Sequence, residues 1–243
     1  MLKPQSIDEL RGAVRRPVSV ARVVTGRVEP DAFRSRLGGV SVAWIGEPWP
    51  EFDGRPMAGL AQFNLAEAPY VPDGLKGLAF VTLFVSEDGD GLMIPDQHPN
   101  GEGWLLRTYS SLVGLVDVRS PCEPAGWLRP RDLRWELAED IPDWEDLVGV
   151  ADYRQVEALL DGKEVGDVVG RPADGTKLGG WPTLIQSEIS WAPMNRHPAN
   201  PTYCLQIDSE EKVGLNLWDG VVIHIGRGEL DGRVVWVAET QFM

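Results

Sequence analysis

Cysteine, histidine and lysine are scarce in this 243-residue chain, at two, three and five residues. Each scarcity excludes something. Cys122 and Cys204 stand 82 positions apart, which argues against a disulfide framework and against a zinc site built on paired thiols. His98, His197 and His224 share no ligand spacing, so no histidine metal centre is expected. No run approaches the roughly 18 apolar residues of a membrane span. Residues 1–17 carry acids and helix signals where a secretory leader would carry an apolar stretch, so the expected location is the cytoplasm. Nucleophile-elbow and phosphate-loop patterns are missing as well: Ser110 and Ser111 sit in a β-rich run, and the glycines at Gly101 and Gly103 lack a third partner and a lysine. The pair Asp88 and Asp90 resembles the start of a calcium loop, yet Gln97 stands where its glutamate would be, and a hairpin turn explains it. No catalytic residue, cofactor or metal ligand is assigned.

What the chain has is acid. The formal net charge is −14, with 37 Asp and Glu against 23 Lys and Arg, and it is unevenly spread. Residues 136–167 hold eleven acids and two bases. Such a field repels nucleic acid and anionic membrane and steers basic proteins inward. Trp135 and Trp144 flank the acids at Glu136 and Asp143, adding aromatics able to anchor a contact. The candidate partner-binding set is therefore Trp135, Glu136, Glu139, Asp140, Asp143, Trp144, Glu145 and Asp146. Acidic proteomes and solvated helix faces produce similar numbers, which is the competing explanation.

The chain also repeats itself. Leu37, Gly38 and Gly39 precede Gln62 in a Leu-Ala-Gln-Phe-Asn stretch; Leu178, Gly179 and Gly180 precede Gln206 in Cys-Leu-Gln-Ile-Asp. An apolar run follows each glutamine, Leu78 to Val85 and Val221 to Ile225. Order, spacing and residue type agree at three points, which reads as a duplication. Short β-rich runs cover 57–65, 78–86, 92–95, 203–208, 213–218, 221–227 and 234–241, with hairpin turns expected at Asp219-Gly220 and Asp231-Gly232. The last four runs read as a meander. Two helices are expected: one opened by a capping box at Ser6 and Glu9 and ended by Pro17, the other capped by Asp152 over 153–160. Glycine pairs and glutamines are read as structural, the amides tying loops together.

Ten tryptophans make up half of the aromatic residues. Exposed, they would anchor an interface or stack on sugars; beside prolines, as at Trp49-Pro50 and Trp181-Pro182, they plug the ends of sheets.

The ordered set of Leu37–Gly39, Trp49-Pro50, Gly54–Met57 and Leu60–Leu65, followed by Leu178–Gln186, Leu205–Ser209 and Trp218–Gly220, resembles the YwqG-like family of bacterial proteins. The resemblance implies a duplicated, β-rich α+β fold and no established reaction. It also implies, as a hint from context, a place near secreted polymorphic toxins. The expected fold class is α+β and β-rich, with duplicated antiparallel β-sheet units and few peripheral helices. The first half with its N-terminal helix spans 1–120, an acidic connector 121–151 and the second half 152–243, together forming one compact unit. The expected function is a non-catalytic acidic module binding a basic protein partner, such as an immunity protein meeting a toxin domain. The alternative is an enzyme or carbohydrate binder with Trp-lined clefts.

Overall fold

The computed structural model describes residues 1–88, 91–92, 98–121, 128–192, 195–215 and 220–242. Gly89 and Asp90 of the expected first turn, Met93 to Pro95, Cys122, Trp127, Trp218 and Asp219 lie outside the described residues.

Ten strands form the main sheet: β1 (Arg16–Val23), β2 (Arg36–Leu37), β3 (Ala58–Asn64), β4 (Phe80–Val85), β5 (Trp104–Tyr109), β6 (Arg131–Asp140), β7 (Lys177–Gly179), β8 (Thr202–Asp208), β9 (Val221–Leu230) and β10 (Arg233–Phe242). Their spatial order is β5-β4-β3-β2-β6-β1-β7-β8-β9-β10, antiparallel throughout. Short two-stranded ribbons pair 42–44 with 115–117, 51–52 with 55–56, and 87–88 with 91–92.

The expected fold class is corrected here. Helix is a minor component, and the two motif copies are not separate α+β units: their strands belong to one large, nearly closed sheet. The physical reason lies in β1 and β6, which zip together from Arg16↔Asp140 to Val23↔Leu133 between the copies. The short strands β2 and β7 then add to the outer sides of this pair instead of ending a sheet. Apolar side chains of both copies merge into a single core that holds Leu60, Phe63, Leu83 and Trp104 with Leu205, Ile207, Ile223 and Trp236. Residues 131–140, within the segment read as a connector, are the ten-residue strand β6.

The repeated motifs do fall at matching registers inside this sheet. Gln62 stands opposite Arg36, and Gln206 opposite Lys177. Both amides are fully buried. Gln62 donates to the Ala32 and Arg34 carbonyls and accepts from the Ser41 N–H, each at 2.7 Å. Gln206 donates to the Gly175 carbonyl and the Thr183 hydroxyl and accepts from the Thr183 N–H and the Tyr203 hydroxyl. Each glutamine thus satisfies loop backbone groups that burial would otherwise leave unpaired. At Gly38, with φ +77°, an added Cβ would lie 2.6 Å from Val213 and 2.9 Å from the Arg129 carbonyl, so only glycine fits.

Among the described residues, four α-helices sit outside the sheet: α1 (Ile7–Val14), α2 (Trp144–Val150), α3 (Tyr153–Leu160) and α4 (Val165–Val168). Ser6 caps α1 through the Glu9 N–H, but the Glu9 carboxylate accepts from Gln5 rather than closing on Ser6. The helix ends at Val14, short of Pro17. Asp152 caps α3 through Arg154 and Gln155, and Asp161 in the left-handed region followed by Gly162 stops it. Leu10, Leu147, Val156 and Leu160 pack with Trp181 in a second apolar cluster. The expected strand over 213–218 does not begin as one. Glu211–Val213 is a 3₁₀ turn closed by Gly214 at φ +76°, so β8 pairs directly with β9. Asp231 and Gly232, both at positive φ, make the expected β9–β10 hairpin.

Candidate functional site

The eight residues grouped by sequence separate in space. Trp135 faces inward from β6, 8% exposed, its ring edge-on to Phe63 at 5.3 Å and its N–H donated to the Ser35 hydroxyl. Asp140 is fully buried, accepting from Lys177, Ile141, Ala173 and Trp181. Neither is available to a partner, because both are buried, whereas Glu136 is half-buried and Glu139 exposed. Glu136 pairs with Arg22 and Arg134, and Glu139 with Arg15. The remaining four belong to α2 and its cap. Trp144 and Glu145 are exposed, and Asp143 and Asp146 are partly buried.

A cleft of about 310 Å³ opens beside α2. Glu145 and Asp146 line it from the helix, and Trp181 and Pro182 from the loop after β7. Glu188, Ile189, Trp191 and Ala192 supply the opposite wall, and Thr202 and Tyr203 enter from the start of β8. Arg16, the first residue of β1, lies across the mouth with its guanidinium carbon 3.2 Å from the centroid of Trp181. Trp181 is held from beneath by donating its indole N–H to the Val14 carbonyl and its backbone N–H to Asp140. At Gly180, with φ +71°, a Cβ would overlap the Asp140 carboxylate, so glycine is what lets this loop turn onto the ion pair.

The electrostatics of the cleft are unusual for a surface carboxylate. Burial pushes Asp146 up to about 7, against the pull of Arg16 and with the help of Asp143, Glu145 and Glu188. Its Oδ2, cut off from solvent, has no hydrogen-bond partner among the described residues. Asp143 is raised by burial too, although its Oδ2 accepts from the Leu184 N–H. Desolvation lowers Arg16 from its ordinary value, opposed by Asp146. Tyr203 is raised well above the usual phenol range by burial, which keeps its hydroxyl a donor to Gln206. Behind it, His224 lies between Ile223 and Ile225 on β9, on the face opposite them, as its strand position suggests. Burial depresses it to about 4, so it is neutral, and its Nε2 lies 3.0 Å from the Thr183 carbonyl.

Sequence reasoning brought Glu145 and Asp146 to this site and missed Arg16, Glu188 and Tyr203. The excess of tryptophan was the usable signal: Trp181 and Trp191 both line the cleft, although Trp181 reads from sequence as a structural plug. No local pattern marks Arg16, because it reaches the cleft through the pairing of β1 with β7. Carboxylates beside aromatic walls are suited to holding a cation, and a carboxyl titrating near neutrality can hold or release a proton. Among the described residues, no group of three or more His, Cys, Asp or Glu is placed to hold a metal ion. No described helix is long and apolar enough to cross a membrane.

The sequence pattern described as Domain of unknown function (DUF1963) matches residues 35–226, which spans β2 to most of β9 and so includes every wall of the cleft except Arg16. No curated protein matches the chain.

Proposed function

The chain belongs to the DUF1963 family of uncharacterised domains, and on that premise we propose that it is a non-catalytic binding module whose cleft receives a basic side chain of a partner protein. One observation carries the reading: Glu145, Asp146 and Glu188 share one cavity with Trp181, Trp191 and Tyr203. Three carboxylates outnumber the single cation Arg16, and aromatic faces attract a guanidinium or ammonium group in a partly desolvated space. Of the eleven acids in residues 136–167, Glu145 and Asp146 line this cleft, and the net negative charge of the segment draws basic proteins toward it, raising the association rate. The finer readings from sequence attach to this module. They are a YwqG-like protein of the cytoplasm, acting as an immunity protein toward a basic toxin domain.

Titration calorimetry with a short arginine-rich peptide tests the cleft. Asp146→Asn or Glu188→Gln should weaken binding roughly tenfold, as loss of a charge-assisted hydrogen bond does. Glu157→Gln, on an exposed position outside the cleft, should have little effect. Equal losses at all three positions would mean attraction by net charge alone and would end the proposal.

A second reading rests on Asp146 itself. A carboxyl near 7 in a Trp-lined cleft is suited to donate a proton to a leaving group, as a carbohydrate-active enzyme requires. Saccharide turnover abolished by Asp146→Asn, with the fold intact, would favour it over the binding module.

A further inference from the structure

Trp191 separates the acidic cleft from a second cavity of about 460 Å³ with the opposite character. This second cavity lies where the loop before β5 meets the outer strand β10 and the segment 195–198. Among the described residues its lining includes Arg196, His197 and His98 and no Asp or Glu. In a chain with a net charge of −14, three basic side chains in one cavity with no carboxylate among its described lining is a local reversal of sign. We propose that it is a binding site for an oxyanion, phosphate or carboxylate, carried on a flat apolar body.

The backbone is shaped to present these groups. Arg196 sits at φ +54°, a conformation that costs an L-residue of order 1 kcal/mol. The Asn195 N–H donates to the Ala192 carbonyl and its side-chain amide to the Ile189 carbonyl, which fixes the loop immediately before Arg196. None of the described ion pairs or hydrogen bonds engages the Arg196 guanidinium, so its five donors are available. The His197 ring accepts at Nδ1 from the Ala199 N–H, 3.1 Å away. Nδ1 therefore carries no proton, and Nε2 is left as the N–H donor. On the other side, the His98 carbonyl accepts from the Trp104 indole at 2.9 Å, and Asn100 is bonded twice to Leu106, which anchors the loop carrying the second imidazole.

The outer strand and Trp191 supply the apolar half of the site. Val235 to Ala238 of β10 line the cavity together with Trp191, against which Val237 packs. Glu239 follows on the same strand but is already engaged, one oxygen accepting from the Ser190 N–H and the other from the Gln241 amide. A guanidinium and an imidazole in a cavity also lined by Trp191 and the apolar residues of β10 match a planar acid, in which the anion meets the donors and the ring packs against the apolar lining.

Calorimetry with phenyl phosphate, inorganic phosphate and benzyl alcohol separates the two halves of the site. Phenyl phosphate should bind saturably, inorganic phosphate roughly tenfold more weakly, and benzyl alcohol without measurable heat. Arg196→Gly is the informative variant, because glycine removes the donors while relieving the left-handed backbone, so the fold should keep or gain stability. Its binding of phenyl phosphate should fall at least about tenfold. Absence of saturable phenyl phosphate binding, or undiminished binding in Arg196→Gly, would overturn the proposal; equal binding of inorganic phosphate would overturn its apolar half. Asp146→Asn lies in the other cleft and should leave this binding unchanged, so the two proposals fail separately.

Discussion

The Lys177 ammonium lies 2.9 Å from Asp140 Oδ2, and neither side chain is exposed to solvent. Asp140 ends β6 and Lys177 starts β7, so the pair joins the central strand to the loop that carries Trp181 into the cleft. At the other end of β6, Asp132 meets Arg36 at 2.7 Å, which is also buried. One strand therefore holds both glycine-bearing loops by the same device. A buried pair of this kind contributes little over a well-packed apolar replacement, but losing one member leaves the other uncompensated. Lys177→Met should cost about 3–5 kcal/mol in denaturant unfolding, whereas Arg15→Met, which breaks the exposed pair with Glu139, should cost under about 1 kcal/mol.

Glycine at the cleft can be tested by comparison. Gly180 and Gly175 both have positive φ, +71° and +92°, but a Cβ at Gly180 would overlap Asp140 while one at Gly175 would meet nothing. Gly175→Ala should cost about 1 kcal/mol from backbone conformation alone. Gly180→Ala should cost at least about 2 kcal/mol more, since the loop must move off the ion pair. Thermal unfolding of the two variants measures the difference.

Two buried groups titrate in opposite senses, and their removal separates them. Asp146 has a folded pKa raised to about 7 from an ordinary 3.8, so the folded state holds the extra proton and stability falls as pH rises between these values. Asp146→Asn should stabilise the protein at pH 8 by about 1–3 kcal/mol, and the gain should disappear near pH 4. His224 is lowered to about 4 from 6.5, so the unfolded state holds the proton and stability is lost as pH falls through that window. His224→Gln should flatten the acid side of the stability profile between pH 6.5 and 4. Chemical denaturation across pH checks both slopes.

The two tryptophans that flank the acids differ in kind. Trp135 packs in the core on Phe63, and Trp135→Ala should cost about 3–5 kcal/mol of stability. Trp144, 37% exposed at the start of α2, should cost under about 1 kcal/mol when truncated, and its loss should show instead in partner affinity. Unfolding curves beside binding titrations distinguish the two.

Local signals in the sequence predict the fold where contacts are local. Ser6 and Asp152 cap the helices they announce, and Asp231-Gly232 turns the hairpin it suggests. Gln62 and Gln206 are buried amides at matching registers, as their repeated setting implies. What sequence could not show was long-range pairing. Nothing near Arg16 or Asp140 says that β1 and β6 meet across more than a hundred residues, yet that pairing turns two apparent units into one sheet. The cleft was half legible for the same reason: Glu145 and Asp146 stand in a visible acidic run, while Arg16, Glu188 and Tyr203 come together only through the sheet.

In the proposed function, acids around a Trp-lined cleft bring in and hold a basic protein partner. The most direct test is the association rate of a captured partner, measured at low and high ionic strength for the natural protein and for the Glu145→Lys, Glu188→Lys double variant. The expected association rate falls roughly ten- to a hundredfold from low to high salt in the natural protein and is already slow, and nearly salt-independent, in the double variant. An association rate that ignores both salt and the charge reversal would contradict it.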